Sequence, residues 1–142
     1  MAHVSLVTLG VDHLDFMTRF YEAMGWCRST ASIHGTVTFL TGGAIVLSLF
    51  GREDLAADAG IPASSGGGTS VALAMNVTSE GAVDQALAAA AAAGGTITKA
   101  TRRTEWGGYS GYCADPDGHL WEVAYNPGFV LQEGGRGQPP DE

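Results

Sequence analysis

Apolar and polar positions along the chain change period in an order that occurs twice. Residues 3–11 are rich in Val, Leu and Thr, the composition of a strand. Asp12 or Asp15 can cap a helix that runs to Met24. Leu14, Met17, Phe20, Tyr21 and Met24 recur at three- and four-residue spacing and give that helix one apolar face. Gly25 stops it. Three short strands follow at 26–30, 36–41 and 44–50, with Gly42-Gly43 expected to join the last two through positive φ. Residues 52–59 suit one or two helical turns, and 60–68 reads as a linker.

Then the order begins again. A strand at 69–77 precedes an alanine-rich helix that starts at Ser79, runs to Ala93 and is closed by Gly94-Gly95. Strands follow at 96–101, 108–114 and 119–125, the last two joined by the turn Asp115-Pro116-Asp117-Gly118. Val11 and Val77, closing the first strand of each half, lie 66 positions apart; Gly43 and Gly118, opening the last strand, lie 75 apart. Each half therefore reads strand, helix, strand, strand, strand. The fold class is α+β, one domain over 1–133 with modules at about 3–59 and 69–130 and an unstructured tail at 134–142.

Composition narrows the partners. Fifteen acidic against 7 basic residues give a net charge of −8, which disfavours nucleic acid and anionic membrane surfaces. No stretch supplies about 20 consecutive apolar residues, so no membrane span is expected. The opening Met-Ala-His-Val-Ser lacks the basic and apolar regions of a signal peptide. Cys27 and Cys113 have neither metal spacing nor the number a disulfide scaffold needs, and a cytoplasmic setting is expected.

The segment Thr8-Leu9-Gly10-Val11, then Arg19-Phe20-Tyr21-Glu22 and Met24-Gly25-Trp26, resembles the opening of the vicinal oxygen chelate superfamily. That superfamily includes glyoxalase I, extradiol dioxygenases and bleomycin-resistance proteins. Asp115-Pro116-Asp117-Gly118-His119-Leu120-Trp121-Glu122 is similar to its closing turn and strand. The resemblance implies two βαβββ modules curling mixed sheets around a cavity, and a homodimer. It also implies four ligand positions in the metal enzymes, on the first and last strands of each module. Counted from the repeat, these fall on Leu6, Ala72, Leu47 and Glu122.

Only Glu122 of these can hold a metal. Three aliphatic positions fit neither Zn²⁺ nor the two His and one carboxylate of an Fe(II) site. His3, His13, His34 and His119 have no metal spacing, and His119 stands an odd number of residues from Glu122, on the other face of a strand. No metal and no cofactor are expected. Leu6, Thr8, Leu47, Ala72 and Glu122 would instead line a small-molecule cavity, with Trp106 and Tyr109 from the glycine-rich 106–112 segment offering aromatic surface. Tyr112 is assigned to the core, and Arg102-Arg103 to a solvated strand end or an anion clamp. Among aliphatic neighbours Glu122 would have a raised pKa and could serve as a general base. Two functions follow: a metal-free binding protein for a small organic molecule, neutral or cationic, with Glu122 as its counter-ion, or a lyase or isomerase that uses Glu122 as base or residual ligand.

Overall fold

The computed structural model describes residues 4–63, 71–105, 107–128, 130–131 and 137–138. The chain forms two compact units, Met1–Gly67 and Gly68–Glu142. In the first, β1 (Leu6–Val11), β2 (Cys27–Arg28), β3 (Val37–Thr41) and β4 (Val46–Gly51) make an open sheet in the order β1-β4-β3-β2. β1 and β4 are parallel, the other pairs antiparallel.

Helix α1 (Leu14–Ala23) covers one face of this sheet. Its Met17, Phe20 and Tyr21 are buried, as the apolar spacing requires, together with Leu9, Val11, Leu40, Leu47 and Leu49. A buried hydroxyl pair marks the contact. Thr18 Oγ1 donates to the Leu14 carbonyl at 2.8 Å, so Thr38 is the donor across the 2.9 Å gap between them. Neither Asp12 nor Asp15 caps α1; His13 occupies the cap position without a side-chain bond, and Asp12 accepts from Arg52 Nε at 3.0 Å. Helix α2 (Arg52–Ala59) fills the expected span and ends at Gly60 in the left-handed region.

The Gly42-Gly43 expectation needs correction. Four residues, 42–45, separate β3 from β4, and neither glycine has positive φ. Gly42 is small for another reason: a Cβ there would lie 2.9 Å from the Trp26 ring.

The second unit holds β5 (Ala72–Asn76), α3 (Glu80–Ala92), β6 (Thr96–Arg103), β7 (Tyr109–Ala114) and β8 (Leu120–Tyr125), with sheet order β5-β8-β7-β6. Ser79 caps α3 by accepting from the Ala82 amide at 3.0 Å. Val83, Leu87 and Ala90 are buried on α3, as are Cys113, Trp121 and Val123 on the sheet. The helix lies so close to β7 that a Cβ on Gly111 would meet Leu87 Cδ1 at 2.6 Å. Burial, then the charge of Asp115, pushes the Cys113 thiol up from its ordinary pKa, which keeps it protonated.

Beyond β8, β9 (Val130–Leu131) pairs antiparallel with β10 (Gly137–Gln138). Gly137 and Gln138 thus depart from the expectation of an unstructured tail; 134–136 and 139–142 lie outside the described residues. Linker positions 64–68, His3 and the first residues expected in β5 also lie outside them. Among the described residues no helix is long and apolar enough to cross a membrane.

One buried carboxylate sets the β7–β8 connection. Asp115 Oδ1 accepts from the amides of Asp117 at 3.0 Å and His119 at 2.8 Å, and Oδ2 lies 2.7 Å from His119 Nδ1. Gly118, at φ 90°, takes a conformation that disfavours a side chain. Asp115→Ala orphans those amides and is expected to lower unfolding free energy by about 2–4 kcal/mol. Urea denaturation measures this; a loss below about 0.5 kcal/mol would contradict the role.

Candidate functional site

The turn at 115–119 sets the register of β7 against β8, and the register decides which residues share a face. Tyr112 stands opposite Glu122, Ser110 opposite Ala124, and Ala114 opposite Leu120. On the other side of β8, Ala74 pairs with Glu122 and Ala72 with Leu120. Gly111, Cys113, Trp121 and Val123 alternate to the opposite face, where α3 lies. The face away from α3 therefore carries one carboxylate and one phenol with Leu120 and small side chains, of which Ala72 and Ala74 are exposed and Ser110 and Ala124 buried. Glu122 and Tyr112 are half-buried there.

Tyr112 and Glu122 face each other across the strands. The negative charge of Glu122, then desolvation and a lesser hydrogen-bonding effect of the same carboxylate, hold the phenol above its ordinary pKa, against a smaller opposing effect from Arg102. β6 carries the row outward: Lys99 pairs with Tyr112 and Arg102 with Ser110, with bulges on either side of Lys99. Glu122 is thus not in the purely aliphatic setting expected of it. It sits between an alanine floor and a Tyr–Arg neighbourhood.

The residues expected to line the cavity separate as follows. Ala72 and Glu122 share the face just described. Leu6, 43% exposed, and half-buried Thr8 share the face of the first sheet away from α1, where they pair with Val46 and Ser48. Leu47 does not join them. It is 1% exposed and pairs with Leu40, in line with Thr38 and Leu49, on the face held by α1. Equating Gly43 with Gly118 caused the slip: the β3–β4 connection has four residues and the β7–β8 connection five. With the observed pairings, Thr8–Ser48 corresponds to Ala74–Glu122, and Ser48 stands 74 positions before Glu122. One residue of register exchanges the faces of a strand.

Tyr109 is also placed differently from its expected position. It alternates to the α3 side, where its hydroxyl donates to Asp84 Oδ1 at 2.7 Å and lies 2.9 Å from Thr101 Oγ1. Trp106 lies outside the described residues. Arg103 pairs with Glu80 through two contacts of 3.4 Å, and His34 is exposed in the connection before β3. Sequence reasoning assigned Tyr112 to the core and left Arg102 as a strand end or an anion clamp; the register places Tyr112 opposite Glu122 and Arg102 opposite Ser110. The available signal for Tyr112 was the turn itself, since a five-residue connection centred on Asp117 places 112 opposite 122.

A profile of the Glyoxalase/Bleomycin resistance protein/Dioxygenase superfamily matches residues 1–123. The chain belongs to this superfamily. Among solved structures it is similar to a glyoxalase-related enzyme from Fulvimarina pelagi, at 32% identity and TM-score 0.91 over 99% of this chain and 100% of that one. A glyoxalase/bleomycin resistance protein/dioxygenase family enzyme from Burkholderia phytofirmans PsJN shares the fold at 23% identity, TM-score 0.76 and coverage of 87% and 98%. Lactoylglutathione lyase from Agrobacterium tumefaciens shares it at 24% identity, TM-score 0.69 and coverage of 89% and 95%. No curated protein matches the chain.

The first and last strands offer Leu6, Thr8 and Ser48 in one unit and Ala72, Ala74 and Glu122 in the other. Neither set contains His or Cys, and only the second contains a carboxylate. Among the described residues no three His, Cys, Asp or Glu side chains come together.

The Tyr112 shift has a pH consequence. Its raised pKa means the folded state retains a proton that the unfolded chain loses near pH 10. Stability from this group is complete below that pH and is lost as pH rises through the folded-state pKa. Phenolate absorbance on alkaline titration should show a late-ionising tyrosine that Tyr112→Phe removes and Glu122→Gln moves down. An unchanged titration in Glu122→Gln would contradict the coupling.

Proposed function

We propose that the protein binds a small organic molecule on the face of its second sheet away from α3, with Glu122 and Tyr112 as polar anchor. The observation that carries this reading is the cross-strand pairing of half-buried Tyr112 and Glu122 next to the small, exposed Ala72 and Ala74. A polar pair with little bulk around it leaves room for a ligand and fixes its orientation. The donor set makes metal-independent binding part of the proposal. Homodimeric assembly belongs to it through the family resemblance, and a cytoplasmic setting through the two free cysteines.

A second reading, a lyase or isomerase, draws on the same pair. Glu122 can take a proton while Tyr112, which keeps its own, donates a hydrogen bond to developing charge. Here Glu122→Gln abolishes turnover but spares binding of a neutral ligand.

The test is a thermal-shift and calorimetric panel of small aromatic acids, amides and amines. A ligand at about 100 times its Kd should add about 2.7 kcal/mol of stability. The added stability should fall in a Tyr112→Phe, Glu122→Gln double variant. A panel without any binder, or a double variant that binds like wild type, would contradict the site. Elemental analysis of purified protein should find no stoichiometric Ni, Zn or Fe; one equivalent would overturn metal independence.

A further inference from the structure

Arg102 and Arg103 are neighbours in sequence, yet strand alternation sends them to opposite faces of the second sheet. Arg103 reaches Glu80 at the start of α3. Arg102 pairs in the sheet with Ser110, two positions from Tyr112, which brings it to the side of the sheet that carries Glu122. Diagonal neighbours of this kind lie about 7–8 Å apart, within reach of an arginine side chain. The Arg102 charge is felt at the Tyr112 phenol, where it opposes the effect of Glu122.

The guanidinium itself is uncommitted. Arg28, Arg52 and Arg103 each hold a carboxylate. Arg102 makes neither a hydrogen bond nor an ion pair with any described side chain. Glu122 stands opposite Tyr112, with no ion pair to Arg102. An exposed arginine with five donors matches a planar anion that can take two parallel N–H bonds. Glu122 would repel the same anion, so the charge pattern also orients a ligand: acid group toward Arg102 on β6 and away from Glu122 on β8.

We infer that Arg102 reads a carboxylate on the ligand, so that the site selects small organic acids over neutral or cationic molecules of the same shape. The inference rests on the binding reading above and adds the ligand's charge class to it.

Three probes on one framework separate the two: phenylacetate, phenylacetamide and phenethylamine, titrated calorimetrically into wild type, Arg102→Gln and Arg102→Lys. Wild type should bind phenylacetate about tenfold or more tighter than the amide, the size expected of one charge-assisted hydrogen-bonded contact. Arg102→Gln should erase that preference while leaving the amide affinity within about twofold, and Arg102→Lys should restore it only in part. The preference should weaken as salt is added. Unchanged thermal unfolding of the variants shows that the fold is intact. A wild type that binds amide or amine as tightly as the acid, or an Arg102→Gln protein that keeps the preference, overturns the carboxylate inference and leaves the binding face standing. A wild type that binds none of the three overturns both.

Discussion

Asp115 is closed off from solvent, and both of its oxygens are engaged: one takes two amides of the turn, the other meets the His119 ring. A buried carboxylate is costly unless its lone pairs are satisfied, so the turn closes in the geometry that supplies those donors. That geometry uses five residues between β7 and β8. With four, every side chain of one strand would exchange faces relative to the other. The pairing of Tyr112 with Glu122, and the burial of Trp121 and Val123 beneath α3, both depend on this count.

Each sheet is asymmetric in the same way. One face meets a helix and carries the core: Leu9, Leu40, Leu47 and Leu49 in the first unit, Cys113, Trp121 and Val123 in the second. The helices approach closely where the sheet allows it, at the Thr18–Thr38 hydroxyl pair and over Gly111. Tyr109, bonded to Asp84, reinforces α3 against β7. The other face is partly buried too, at Ser48 in the first unit and at Ser110 and Ala124 in the second. In the second unit it also carries Glu122, Tyr112 and Arg102, the residues of the proposed site.

Membership of the superfamily fixes the fold, not the side chains at its strand positions. The strands, helices and turn that the fold needs are present, and they supply the positions. What occupies those positions is a separate matter, because a fold offers sites and side chains give them a reaction. Here the row contains alanine, glutamate and tyrosine.

Most of the fold was legible in the chain itself. The three- and four-residue spacing in α1, Ser79 as a cap and Gly25, Gly94 and Gly118 as stops or turns are local signals, and each acts within a few residues. Glu122 as the surviving carboxylate was legible too, from alternation along β8 and the family pattern. The partners of Glu122 were not. Whether Leu47 or Ser48 shares a face with Thr8, whether Tyr112 or Tyr109 stands beside Glu122, and which of two adjacent arginines turns toward it depend on connection length and bulges. Period-two alternation places a residue relative to its own strand alone. Only hydrogen bonding between strands, far apart in sequence, decides which alternating sets lie side by side.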